Sequence, residues 1–181
     1  MSKQLPEILS VSTIAKTRIF ELQSVDLRFS NGELRTYERH RPQRRSTVMV
    51  LPIHNDHLIL VREYAVGPER YELTFPKGLV DQGEDPLESA NRELQEEIGF
   101  AARKLTPLRA IYTAPSHMFG LMHLFVAEDL SPSQLQGDEP EPLEIVHYPL
   151  AKIDELLANP EFAESRNLAA LFLLREHLNG K

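Results

Sequence analysis

The chain of 181 residues has no cysteine and no tryptophan. Without cysteine it can form no disulfide and no thiolate metal site. No stretch approaches the apolar length of a membrane-spanning helix, and the opening MSKQLPEILS has no apolar run of signal length. A cytoplasmic location is therefore expected, with no membrane partner. Positive charge is also scarce, since 20 Lys and Arg stand against 27 Asp and Glu, a net charge of −7. That balance disfavours general nucleic-acid binding, which ordinarily uses a basic surface. It also sets a requirement: an anionic chain that binds an anionic small molecule needs metal ions and locally placed arginines to offset repulsion. What remains, 41% hydrophobic and 26% charged residues, is the composition of a soluble globular protein. The length suits one domain with room for a small extra element.

The densest pattern runs from Gly78 to Phe100, GLVDQGEDPLESANRELQEEIGF. Asp85 is a good helix N-cap, Pro86 suits the first helical position, and Glu88 completes a capping box. Gly99 is a natural stop. At helical spacing Leu87, Ala90, Leu94 and Ile98 share one stripe, expected to face the core. Glu93, Glu96 and Glu97 project from an adjacent face, because positions three and four apart are neighbours on a helix. Three close carboxylates repel one another, so a cation between them is needed. All-oxygen ligands favour a hard ion, Mg²⁺ or Mn²⁺. Glu93 and Glu97 are the leading ligands. Glu96 is next, reaching a second ion or a water. Arg92 and Glu84 bracket the cluster, and an ion pair between them would pin the loop to the helix. Such a site suits hydrolysis of a diphosphate, in which metal ions neutralise the phosphate oxygens and activate water.

Along the chain, residues 1–45 read as mostly β. Ile19 to Phe29 alternates with a change of parity that a bulge near Ser24 would reconcile, and Asn31-Gly32 signals a hairpin turn into Glu33–Arg41. RHRPQRR, from Arg39 to Arg45, gathers positive charge, either as a solvated strand end or as phosphate or ribose contacts from arginines such as Arg39 and Arg41. Ser46–Ile53 and His57–Tyr64 read as buried strands joined by a turn at Asn55-Asp56, followed by a short strand Tyr71–Phe75. Strands are expected at Leu105–Thr113, Met122–Glu128 and Leu143–Tyr148, with loops at 114–121 and 137–142. Helices are expected at Leu150–Ala158 and Asn167–Leu178. His54, His57 and His117 lack zinc-ligand spacing and read as surface or structural. The expected class is α/β (α+β): a mixed sheet sandwiched between helices, preceded by an antiparallel β segment.

The stretch from Gly78 closely resembles the Nudix box: Gly, five residues, Glu, seven, Arg-Glu, apolar, any, Glu-Glu, any, Gly, apolar. Phe100 stands where an aliphatic residue is usual. At average residue frequencies the pattern would arise by chance on the order of once in ten billion starts. The resemblance covers nearly the whole chain and is to the ADP-ribose pyrophosphatase-like group. It is carried by SVDLRFSNG, TYERHRP, NDHLIL, REYAVG, ANREL, Pro115, LFVAEDL, GDEPEPL and SRNLAALFL. It implies a Nudix fold, with residues 1–45 as a dimerisation and substrate-contact segment and 46–181 as the hydrolase domain. The implied activity is Mg²⁺-dependent hydrolysis of ADP linked to another group (ADP-ribose, NADH or diadenosine polyphosphates), with AMP as a product. A homodimer is implied as well. The backbone carbonyl of Lys77 joins the metal ligands by resemblance, and a glutamate of the late loop, Glu139 or Glu141, supplies the base. Arg62 and Glu72 fall on the strand pair that contacts substrate in the family. Gly78, Glu84, Arg92 and Gly99 shape the box, and Glu96 is also a catalytic candidate. Two departures stand out: Glu63-Tyr64-Ala65 where relatives carry Gln-Tyr-Arg, and Lys77 where they often carry Ala. A GDP-sugar hydrolase and a non-catalytic ADP-ribose or NAD-binding module are the alternative readings. The second is disfavoured because Glu93, Glu96 and Glu97 are all present.

Overall fold

The computed structural model describes residues 4–42 and 45–180. Gln43 and Arg44, within the expected basic run, lie outside the described residues. The chain divides into two compact units, Met1–Arg44 with Tyr112–Gly120, and Arg45–Ile111 with Leu121–Lys181.

The first unit contains an antiparallel sheet in the order β1 (Glu7–Lys16), β2 (Glu21–Arg28), β3 (Leu34–His40). Gly32, at φ +86°, closes the hairpin between β2 and β3 as its Asn-Gly signal implies. The expected bulge near Ser24 is absent, because β2 pairs with β3 without interruption from Leu22–His40 to Arg28–Leu34. The register slips on β1 instead, between Ile8 and Ser10 and between Thr13 and Ala15. Phe20 causes no parity conflict, since it lies before β2 in a turn closed by Thr17 and Phe20. The loop expected at 114–121 spans 113–120, and His117 O accepts a hydrogen bond from His40 N at 2.8 Å.

The second unit is built on a mixed sheet. Its strands are β4 (Thr47–His54), β5 (His57–Ala65), β6 (Arg70–Thr74), β7 (Lys77–Leu79), β8 (Phe100–Tyr112), β9 (Leu121–Pro132) and β10 (Glu144–Pro149). The order is β10-β5-β4-β9-β8, with β6 paired to β5 and β7 to β4. β4 runs parallel to β9 but antiparallel to β5 and β7. Asn55 and Asp56 both adopt positive φ, the twist that a two-residue hairpin turn requires.

Successive side chains of a strand point to opposite faces, so β4 feeds two cores. Met49 and Leu51 join Ala170, Leu171 and Leu174 of α3 (Ser165–Asn179). Val48 and Val50 join Ala90, Leu94 and Ile98 from the helix region of α1 (Pro86–Glu97). The sheet is thereby layered between helices. The expected helix over 150–158 is shorter, a 3-10 turn at Leu150–Lys152 leading into α2 (Ile153–Leu156). Asn167, fully buried, stitches α3 to β6 by accepting from Thr74 Oγ1 at 3.1 Å and Phe75 N at 3.3 Å.

Candidate active site

The site grows from the junction of β7 and α1. Asp85 caps α1, accepting from Leu87 N at 2.9 Å, and the Glu88 carboxylate returns to Asp85 N at 3.3 Å. The helix ends at Ile98, and Gly99 at φ +72° takes the left-handed turn that follows. Leu87 does not join the buried stripe and is exposed, whereas Ser89 and Glu93 are buried. The helix is therefore turned to carry a carboxylate inward. Gly78 makes room for it. A Cβ at position 78 would lie 2.0 Å from the Glu93 carboxyl carbon, so a side chain there would displace the Glu93 carboxylate from its present position.

Arg92 ties the loop to the helix, as expected, and does more besides. Its Nε donates to Glu84 at 3.1 Å, Nη2 to the carbonyl of Leu79 at 2.9 Å, and Nη1 to Glu93 at 2.9 Å and Glu96 at 2.7 Å. Glu84 also accepts from Ser89 Oγ at 2.6 Å. The Arg92 guanidinium and the Ser89 hydroxyl together hold the Glu84 carboxyl down at about 2.

Glu93 and Glu97 behave oppositely. Burial pushes the Glu93 carboxyl up to about 7, against the pull of Arg92. Burial likewise pushes Glu97 up to about 8, against the charge and backbone hydrogen bond of Lys77. Glu97 accepts from Lys77 N at 3.3 Å through one oxygen, while its other oxygen is buried without a partner. Among the described residues, no three acidic or imidazole side chains are already gathered to hold an ion. Arg92 occupies Glu93 and Glu96 meanwhile.

The late loop comes close to this cluster. Glu96 and Glu97 line a cleft of about 250 Å³ with Gly137, Glu139 and Glu141. The two candidate bases differ in surroundings. The Glu139 charge acts on both Glu93 and Glu97. Glu141 instead accepts from the Tyr71 hydroxyl at 2.5 Å.

The expected substrate contacts are dispersed. Glu72, on β6, pairs with Arg70 at 2.6 Å and keeps one buried oxygen without a partner. Arg62, on β5, is engaged by Glu144 and, at 2.9 Å, by Glu161. Arg39 and Arg41 belong to the first unit. Arg41 pairs with Glu21 at 2.9 Å, and Arg39 lines a cavity of about 300 Å³ with Phe29, Tyr37, His117 and Phe119. Sequence reasoning passed over Ser89, Tyr71 and the side chains of Glu63 and Lys77. A serine inside an amphipathic stripe is an available signal for the first. The others meet partners distant in sequence, which no local pattern announces.

Comparison with known proteins places these features among relatives. A family model described as the NudE-type Nudix hydrolase N-terminal domain matches residues 6–39, and one described as the NUDIX domain matches residues 43–172. The whole chain is 56% identical to the ADP compounds hydrolase NudE of Escherichia coli K12, covering 98% of it. It is 31% identical to the ADP-ribose pyrophosphatase of Bacillus subtilis 168, over 92% of this chain and 94% of that protein. A GDP-mannose pyrophosphatase of Escherichia coli O1:K1 is 26% identical over 92% of this chain and 96% of its own. A crystal structure of an ADP compounds hydrolase matches with a TM-score of 0.96 at 56% identity, over 99% of this chain and 97% of that one.

Proposed function

This chain belongs to the Nudix hydrolase family, and from that premise we propose that it hydrolyses the diphosphate linkage of ADP-containing nucleotides, releasing AMP. The carrying observation is the group of Glu93, Glu96 and Glu97 beside Gly78, with Glu139 across the cleft. Two relatives act on ADP compounds by name, and the closer match covers the full length. The candidate substrates are ADP-ribose, NADH and diadenosine polyphosphates.

The donor set fits a hard divalent cation, Mg²⁺ with Mn²⁺ as a substitute. The donors are all oxygen, and Glu97 keeps one buried oxygen without a partner. Glu93, Glu97, Glu96 and the carbonyl of Lys77 would hold it, in competition with Arg92 for Glu93 and Glu96. When bound, such an ion neutralises phosphate oxygens and acidifies water. Glu139 is the better base of the two late-loop acids, because its charge already acts on Glu93 and Glu97 while Glu141 is tied to Tyr71. It takes a proton from water as the oxygen attacks one phosphorus. The bridging oxygen leaves with the other phosphorus, and AMP carries one of the two phosphates. Arg62 would reach substrate only by leaving Glu144 and Glu161, and Glu72 only beside Arg70. Arg39 and Arg41 are assigned to substrate from the first unit.

Residues 1–45 are assigned to dimerisation and substrate contact, and 46–181 to hydrolysis. A homodimer is supported by β1, which leaves Ile8, Leu9, Val11 and Ile14 exposed on the chain alone. A sedimentation mass of one chain at micromolar concentration would contradict it. No helix among the described residues is long and apolar enough to cross a membrane. We assign the protein to the cytoplasm.

The decisive test is product analysis with ADP-ribose, NADH and GDP-mannose, with and without Mg²⁺. Metal-dependent AMP is expected from the adenine substrates, lost in Glu97→Gln and depressed by about 10²–10⁴ in Glu139→Gln. GMP from GDP-mannose alone would keep the chemistry and overturn the base, a reading favoured by the GDP-mannose pyrophosphatase relative. Tight binding without turnover would mean a sensor.

A further inference from the structure

Glu63 and Lys77, two of the positions that depart from the family pattern, are joined in an ion pair. Lys77 stands on β7, bonds Glu97 through its backbone, and carries its ammonium to Glu63 on β5. Its side chain is only 18% exposed. It borders a cavity of about 380 Å³ whose lining is largely apolar, with Arg70, Glu72 and Arg166 among its charged residues. Each cation there already has an acid: Arg70 has Glu72, and Arg166 has Glu164.

Lys77 thus touches the carboxylate cluster with its backbone and the neighbouring cavity with its side chain. With its Glu63 partner 44% exposed, the pair is at most a modest source of stability. An ammonium one side-chain length from the cluster lies where a bound diphosphate would bring phosphate oxygens. A flexible lysine with three donors is suited to meet them as a point charge. We propose that the Lys77 ammonium is a contact for the substrate diphosphate, and that Glu63 is the positioning residue holding it over the cavity until substrate arrives. This rests on the diphosphate hydrolase reading above. On binding, the ammonium passes from the Glu63 carboxylate to a phosphate oxygen, with no bond made or broken.

The test compares Lys77→Met, Glu63→Gln and the exchanged pair Glu63→Lys with Lys77→Glu. The readouts are KM and kcat on ADP-ribose, Mn²⁺ binding, thermal midpoint, and calorimetric binding of ADP-ribose in EDTA. Lys77→Met is expected to raise KM and weaken metal-free binding by about 10- to 100-fold, the weight of one charge-assisted hydrogen bond. Mn²⁺ affinity and thermal midpoint should change little. Glu63→Gln should raise KM by a smaller factor with kcat retained. The exchanged pair should keep the wild-type thermal midpoint but not the wild-type KM. Recovery of KM by the exchange would make the pair a strap between β5 and β7 and overturn the proposal. So would a KM within about twofold of wild type in Lys77→Met, or a loss of Mn²⁺ affinity that accounts for its effect. If wild type binds ADP-ribose without cleaving it, the hydrolase reading fails, yet weaker binding by Lys77→Met still supports the contact. No binding of ADP-ribose by wild type, with or without metal, overturns the contact, and product analysis then decides the hydrolase reading by itself.

Discussion

In the sheet of β1 to β3, Val25 is the one member of the buried apolar set among the described residues, while β4 and β5 contribute Val48 to Leu51 and Leu58 to Val61, all fully enclosed. The first sheet is held by its backbone ladder and by polar pairs such as Ser10–Asp26, Thr36–Asp26 and Arg41–Glu21. Pairs of that kind contribute little each in water. The second is held by apolar burial on both faces, which scales with area and resists local opening. Only the second can hold the carboxylates of α1 steady, because a site needs side chains fixed by packing around them. A sheet with so little core of its own needs further cover to be independently stable.

Core and sheet substitutions test that contrast directly. Leu94→Ala, in the layer beneath α1, should lower unfolding free energy by about 2–5 kcal/mol in denaturant titration. A loss below about 1 kcal/mol would mean that α1 is held by its ion pairs instead. Asn167→Ala should cost about 1–3 kcal/mol by stranding the groups of Thr74 and Phe75 that it satisfies. In the first sheet, Ile8→Ala should cost no more than about 0.5 kcal/mol in dilute protein. A cost that grows with protein concentration would show that a second copy covers β1.

The smallest effect is one of pH. Hydrogen bonds from Ser10 and then Thr36 hold the Asp26 carboxyl below its ordinary 3.8. A depressed folded value stabilises above the unfolded value and is lost as pH falls through the folded one. Asp26→Asn should therefore be less stable than wild type at neutral pH, with the gap closing as pH falls below the ordinary carboxylate value. A gap independent of pH would leave the carboxylate charge without a role.

The capped helix, its glycine stop and the Asn-Gly and Asn-Asp turns were legible because each signal lies within a few residues of its effect. The Arg92–Glu84 pair was legible for the same reason. The bulge was not, since the alternation alone does not show that Phe20 lies in a turn before β2, nor that the register slips fall on the partner strand, β1. Leu87 was misread because apolar spacing cannot foresee how far the core extends towards the first turn of the helix, where Leu87 lies exposed while Ala90, Leu94 and Ile98 are buried. The grouping of Glu139 with the box and of Glu63 with Lys77 depends on chain returns that no window of sequence contains.

The hydrogen atom that serves as the side chain of Gly78 reaches further than folding. One methyl group is the least that any substitution could add there, and it would land on the Glu93 carboxylate rather than in open space. A strand residue with no functional group of its own thus sets where the carboxylate of the neighbouring helix can lie. Position 78 is constrained by a vacancy, and a survey asking only what each side chain does would pass it by.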